Sequence, residues 1–139
     1  MRNYFTPINR LLLALSCLQL GILTPAYALK TLDSCEKLKA SNIEYSQCLD
    51  LAKEAIEREL QTWVNNQIFS LEEQALTTGR QSALEMFKRS QKNFITYREN
   101  DCRWQYLAKS PSITAASTYK KCYIQLTRNR INELDMANH

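Results

Sequence analysis

Glycine is almost missing from this chain. Of 139 residues only Gly21 and Gly79 carry no side chain. A loop that cradles phosphates needs several glycines at fixed offsets, so no such loop is expected here. Histidine is equally scarce, because His139 is the only one and sits at a terminus that usually frays. That removes the commonest general base and both the Ser/His and Cys/His nucleophile systems. It also leaves no ligand set of zinc type, since no two cysteines stand close together in sequence. Internal repeats, low-complexity segments and alternating strand patterns are all absent. Neither sign of charge dominates.

There is one long apolar run, and it comes early. Leu11 to Leu23 follows Arg2 and Arg10, is broken by Pro25, and leads to Ala26-Tyr27-Ala28. A basic start, a short apolar centre and small residues before a cut describe a secretory signal peptide over residues 1–28. Thirteen apolar-region residues are too few for a membrane span, which takes about 20. Lipid attachment at Cys17 is the less favoured reading, because Ala14-Leu15-Ser16 makes a poor lipobox and the apolar run continues beyond it. The expectation is an exported chain, periplasmic or secreted, with one domain over residues 29–139 and no stable membrane insertion. Removing Arg2 and Arg10 from 18 basic residues leaves 16 against 14 acidic ones, a net charge of +2. That balance gives no electrostatic case for nucleic acid and little long-range steering of any partner.

Four cysteines remain after the leader: Cys35, Cys48, Cys102 and Cys122. An even number in an exported chain reads as two disulfides. Three pairings are open, and Cys35–Cys48 with Cys102–Cys122 is preferred because each closes a short segment. Between them run long helical patterns. From Ser41 or Asn42, which can cap, Tyr45, Cys48, Leu49, Ala52, Ile56, Leu60, Trp63, Val64, Ile68, Leu71 and Ala75 recur at steps of three and four, up to Gly79. A second stripe takes in Leu84, Phe87, Gln91, Phe94, Ile95, Arg98, Cys102 and Tyr106, and stops ahead of Pro111. A third starts near Thr114, whose hydroxyl can cap it, and runs through Tyr119, Cys122, Tyr123, Leu126, Arg130 and Leu134. Leu29 to Ala40 has no clear period and reads as extended or loop. The fold expected is all-α: a long antiparallel helical hairpin with a third helix folded back, stapled by two disulfides.

One stretch, QKNFITYRENDC from Gln91 to Cys102, does not fit a simple core. It puts Arg98 among Phe94, Ile95 and Cys102. A guanidinium there needs a partner, because an isolated buried charge is very costly. Glu57 flanks the first stripe and is the best candidate. Its neighbours Glu54, Arg58 and Glu59 read as a solvated face with local ion pairs rather than an acid–base dyad. The alternative is that Arg98 or Arg130 lines a groove for a partner carboxylate or sugar. Nothing marks out a catalytic set, so no enzyme and no cofactor are expected.

The same residues carry a resemblance. Gln91, Phe94, Tyr97, Arg98 and Cys102, then Cys122, Thr127, Arg130, Glu133 and Leu134, resemble the lysozyme inhibitor LprI-like N-terminal domain family. Upstream, Cys35, Cys48 and the IERELQ box from Ile56 to Gln61 stand where that family has a first cysteine pair and an Ala-Asp-x-Glu-Leu-Asn box. The box is altered, and Val64 stands where the family usually has a tyrosine. The resemblance implies an exported, helical, disulfide-bonded domain, and by name an inhibitor of a lysozyme or another peptidoglycan hydrolase. For such a role the stretch from Arg103 to Ser112 offers a loop with a cation and an aromatic, Arg103 and Trp104. The plainer reading packs Trp104 and Tyr106 onto the bundle. An envelope interaction module with another protein or cell-wall partner is the alternative function.

Overall fold

The computed structural model describes residues 31–137. The expected leader with its expected cut after Ala28, Cys17 and His139 lie outside the described residues. Among the described residues four helices follow one another: α1 (Leu32–Glu36), α2 (Asn42–Thr78), α3 (Ser82–Lys109) and α4 (Ala115–Met136). The described residues contain no strand. Arg98 meets Glu57 while Lys88 meets Glu72, so α2 and α3 run antiparallel. The return helix α4 lies along both arms, which touch each other less than either touches α4. The disulfides are Cys35–Cys48, joining α1 to α2, and Cys102–Cys122, joining α3 to α4.

Helix boundaries follow local chemistry. Ser41 caps α2 by accepting from the Glu44 backbone N–H, and its 37 residues span about 55 Å. At the other end Gly79 takes φ +71°, and its N–H returns to the Ala75 carbonyl. A side chain is disfavoured in that left-handed conformation. Ser110 is extended, as the residue before Pro111 must be, and this ends α3.

The structure corrects the sequence reading at three places. The stretch expected to be extended contains α1. Thr31 and Ser34 form a reciprocal capping box, and the buried Cys35 ties this short helix down. Five residues are too few for periodicity to reveal it. Thr114 precedes α4 without capping it through its hydroxyl, which instead bonds to Ser112 Oγ. The buried stripes also differ. Helix α3 buries only Arg98 and Cys102, and Ile95 and Tyr106 are exposed. Helix α4 buries Ile124, Thr127 and Ile131 in addition to Cys122, Tyr123 and Leu134. The reason is its position between two arms, where it must bury two faces while α3 buries one.

The main core joins Leu49, Ala52, Ile56, Leu60 and Val64 of α2 to Ile124, Ile131 and Leu134 of α4, with Phe87 and Phe94 of α3 at its edge. A satellite cluster holds Cys102, Cys122 and Tyr123. Between the two lies Arg98.

Candidate functional site

Arg98 is 2% exposed, the one buried charged residue among those described. Its Nη1 donates to Glu57 Oε2 at 2.8 Å and to Thr127 Oγ1 at 2.9 Å. Tyr123 Oη donates to the same Glu57 oxygen at 2.8 Å. Thr127 in turn donates to the Tyr123 carbonyl, which fixes its hydroxyl as an acceptor for Arg98. The guanidinium carbon lies 3.8 Å from the centre of the Tyr123 ring, and Lys53 Nζ lies 4.4 Å from it. A cation near an aromatic ring is attracted to the electron-rich face. Three helices thus meet on one carboxylate, one guanidinium and one ring. Burial, and then the bond to Glu57, push the Tyr123 phenol well above its ordinary pKa.

The network continues outward. Tyr119 Oη donates to Glu99 Oε2 at 2.6 Å. Burial, and then that bond, raise Tyr119 to about 12. Lys120 reaches α2 through Ser46 and Asp50, and Arg128 reaches Glu59 at 2.5 Å. Glu57 pairs with Arg98 as expected, while Glu59 pairs across helices with Arg128, where the sequence reading had a solvated face with local pairs.

Arg130 is held separately. It donates from Nε to Gln91 Oε1 at 3.2 Å, pairs with Glu133 within α4, and lies near the rings of Phe87 and Phe94. Gln91 thus serves Arg130, although on α3 it shares the Arg98 face. Tyr97 is more than half exposed and takes no part in the Arg98 cluster.

Arg103 and Trp104 are not on a loop. Helix α3 continues to Lys109, and Trp104 is 58% exposed with its indole N–H on Asp101. Trp104 therefore does not pack onto the bundle. Successive residues on a helix point about 100° apart. Arg103 accordingly lies with Tyr106, Leu107, Ala116, Tyr119 and Lys120 around a groove of about 490 Å³.

Sequence reasoning placed Tyr123 in a core stripe and did not see its hydroxyl at work. The spacing Tyr119, Tyr123, Thr127 was the available signal, since residues four apart share a helix face. Glu99 carried no signal. No group of His, Cys, Asp and Glu among the described residues could hold a metal ion, and no described helix is long and apolar enough to cross a membrane.

These features define a disulfide-clamped, all-helical domain in which three helices meet around the buried Arg98. The chain belongs to the family Lysozyme inhibitor LprI, which it matches over residues 35–134. No curated protein matches the chain, and no solved structure does.

Proposed function

We propose that this protein is exported and inhibits a lysozyme-like peptidoglycan hydrolase by binding to it, with no catalysis of its own. The observation that carries the reading is the family match. It runs from Cys35 to Leu134 and so covers both disulfides and the whole Arg98 cluster. The physical design supports it. A domain held by two covalent staples and a buried polar network loses little freedom on binding, and preorganisation raises affinity. In this reading Arg98 and Arg130 act through the scaffold: their cationic groups are turned to Glu57, Thr127, Gln91 and Glu133.

The test is direct. Purified oxidised protein is added to lysozymes of strongly basic and of acidic character acting on suspended cell walls. Saturable inhibition of at least one is expected. The acidic enzyme is the better target, because the slightly basic domain gains no long-range attraction to a basic one. Full activity of every enzyme at high protein excess would instead favour an envelope interaction module with another partner.

A further inference from the structure

We infer that the groove between the last turns of α3 and the first turns of α4 is the surface that docks on the hydrolase, with Arg103 meeting a carboxylate of the enzyme's cleft; this rests on the inhibitory reading above. Four of its six lining side chains are apolar or aromatic: Tyr106, Leu107, Ala116 and Tyr119. The other two, Arg103 and Lys120, are cations, and no carboxylate lines it.

The two cations differ. Lys120 is bound to Asp50 and Ser46, so its charge is already answered. Arg103 takes part in none of the ion pairs formed by the described residues. The nearest acid on its own helix face, Glu99, accepts from the Tyr119 hydroxyl and forms no ion pair with Arg103. Leu107 at 62% exposure and Tyr106 at 39% leave apolar surface open to solvent beside that arginine. An aromatic, an aliphatic and an arginine around one concavity is the composition of an interface centre.

The partner's chemistry follows by charge. Glycoside hydrolases of this type work with a pair of carboxylates flanking the scissile bond, so their cleft is locally acidic. A guanidinium can bind such a carboxylate through two parallel hydrogen bonds. The groove is also rigid where it must be. The Cys102–Cys122 bridge joins α3 to α4, and Tyr119 of α4 is bonded to Glu99 of α3.

The experiment compares the oxidised parent protein with Arg103→Glu, Leu107→Asp, Arg103→Lys and the remote control Leu76→Asp, which sits 88% exposed at the opposite end of the hairpin. Inhibition of the most sensitive lysozyme is titrated, and thermal unfolding is followed by circular dichroism. Arg103→Glu and Leu107→Asp should each weaken inhibition at least about tenfold with unchanged melting. Arg103→Lys should retain part of the inhibition, and Leu76→Asp all of it. Parent-like inhibition by both groove variants would overturn the groove and leave the inhibitory function standing. A parent protein that inhibits no lysozyme would remove the functional reading and the groove's role with it. Loss of inhibition in Leu76→Asp with none in the groove variants would move the surface to the hairpin tip.

Discussion

Arg98 and Glu57 form an unequal pair. The arginine side chain is 3% exposed and the carboxylate 44%. Replacing Glu57 with Leu therefore leaves a charge stranded in the core, with only the Thr127 hydroxyl and the Tyr123 ring to meet it. The expected loss is about 3 kcal/mol or more, measured by urea unfolding. Replacing Arg98 with Leu leaves a carboxylate that can turn to water. That change should cost about 1–2 kcal/mol, chiefly from lost packing against Tyr123 and the hydrogen bonds it ends. The double replacement should recover much of the Glu57→Leu loss, since no charge is then stranded, while still depriving the Tyr123 hydroxyl of its acceptor. A double-mutant cycle reads this directly. Equal costs for the two single variants would show that Glu57 is as dry as Arg98. The need for a partner was legible in the sequence, because a guanidinium on an apolar stripe requires one. The shared oxygen of Glu57 and the role of Tyr123 were not, because they depend on where α4 lies.

The helices are held by local and covalent devices of different weight. Removing the Cys102–Cys122 bridge by a double change to serine should cost about 3 kcal/mol, a value set by the 20-residue separation it closes. It should also free α4 from α3, so protection of α4 amides from hydrogen exchange should fall more than that of α2. Gly79→Ala meets no atom within 4 Å, so no clash is expected. Its cost of about 1 kcal/mol comes wholly from the left-handed backbone at φ +71°. Gly79→Asn should cost less, because asparagine tolerates that conformation better. Helices α2 and α3 were readable because each shows one stripe and ends on a glycine or ahead of a proline. The second face of α4 was not, since a helix between two arms has two half-stripes that blur a single period. Helix α1 escaped because a capping box and a disulfide, rather than periodicity, define it.

At the scale of the molecule, pH should open the fold from both ends. Hydrogen bonding from Lys39, with Tyr45 and Lys121 beside it, holds Glu36 at about 2, below its ordinary 4.5. A depressed carboxylate stabilises above its unfolded pKa, and that contribution is lost as pH falls from about 4.5 towards 2. Burial first, and bonds to Glu36 and Glu99 second, raise Tyr45 and Tyr119 to about 12. For a raised group the contribution is intact below the unfolded value of 10 and is lost as pH climbs to 12. Urea stability should therefore be flat between about pH 5 and 10 and decline on either side, as expected for a chain with no histidine among its described residues. Tyrosinate absorbance from Tyr45, Tyr119 and Tyr123 should appear together with loss of the helical circular dichroism signal. Full ionisation of every tyrosine near pH 10 with the helices intact would contradict this. Mass measured without reductant should lie four hydrogens below that of the reduced protein, from the two bridges.

By itself the sequence determined helix. Three long periodic stripes, four cysteines in two short segments beyond residue 28 and almost no glycine leave an all-helical, doubly stapled domain as the consistent outcome. It also determined that Arg98 must be answered, because burial of a lone charge is prohibitive. Tertiary structure decided what answers it and which other side chains stay exposed. Only the placement of α4 between α2 and α3 brings Tyr123 and Glu57 to Arg98, and only that placement leaves Arg103, Tyr106 and Leu107 uncovered around a groove. A stripe on one helix fixes which residues face inward. It does not fix how much of that face a neighbour covers.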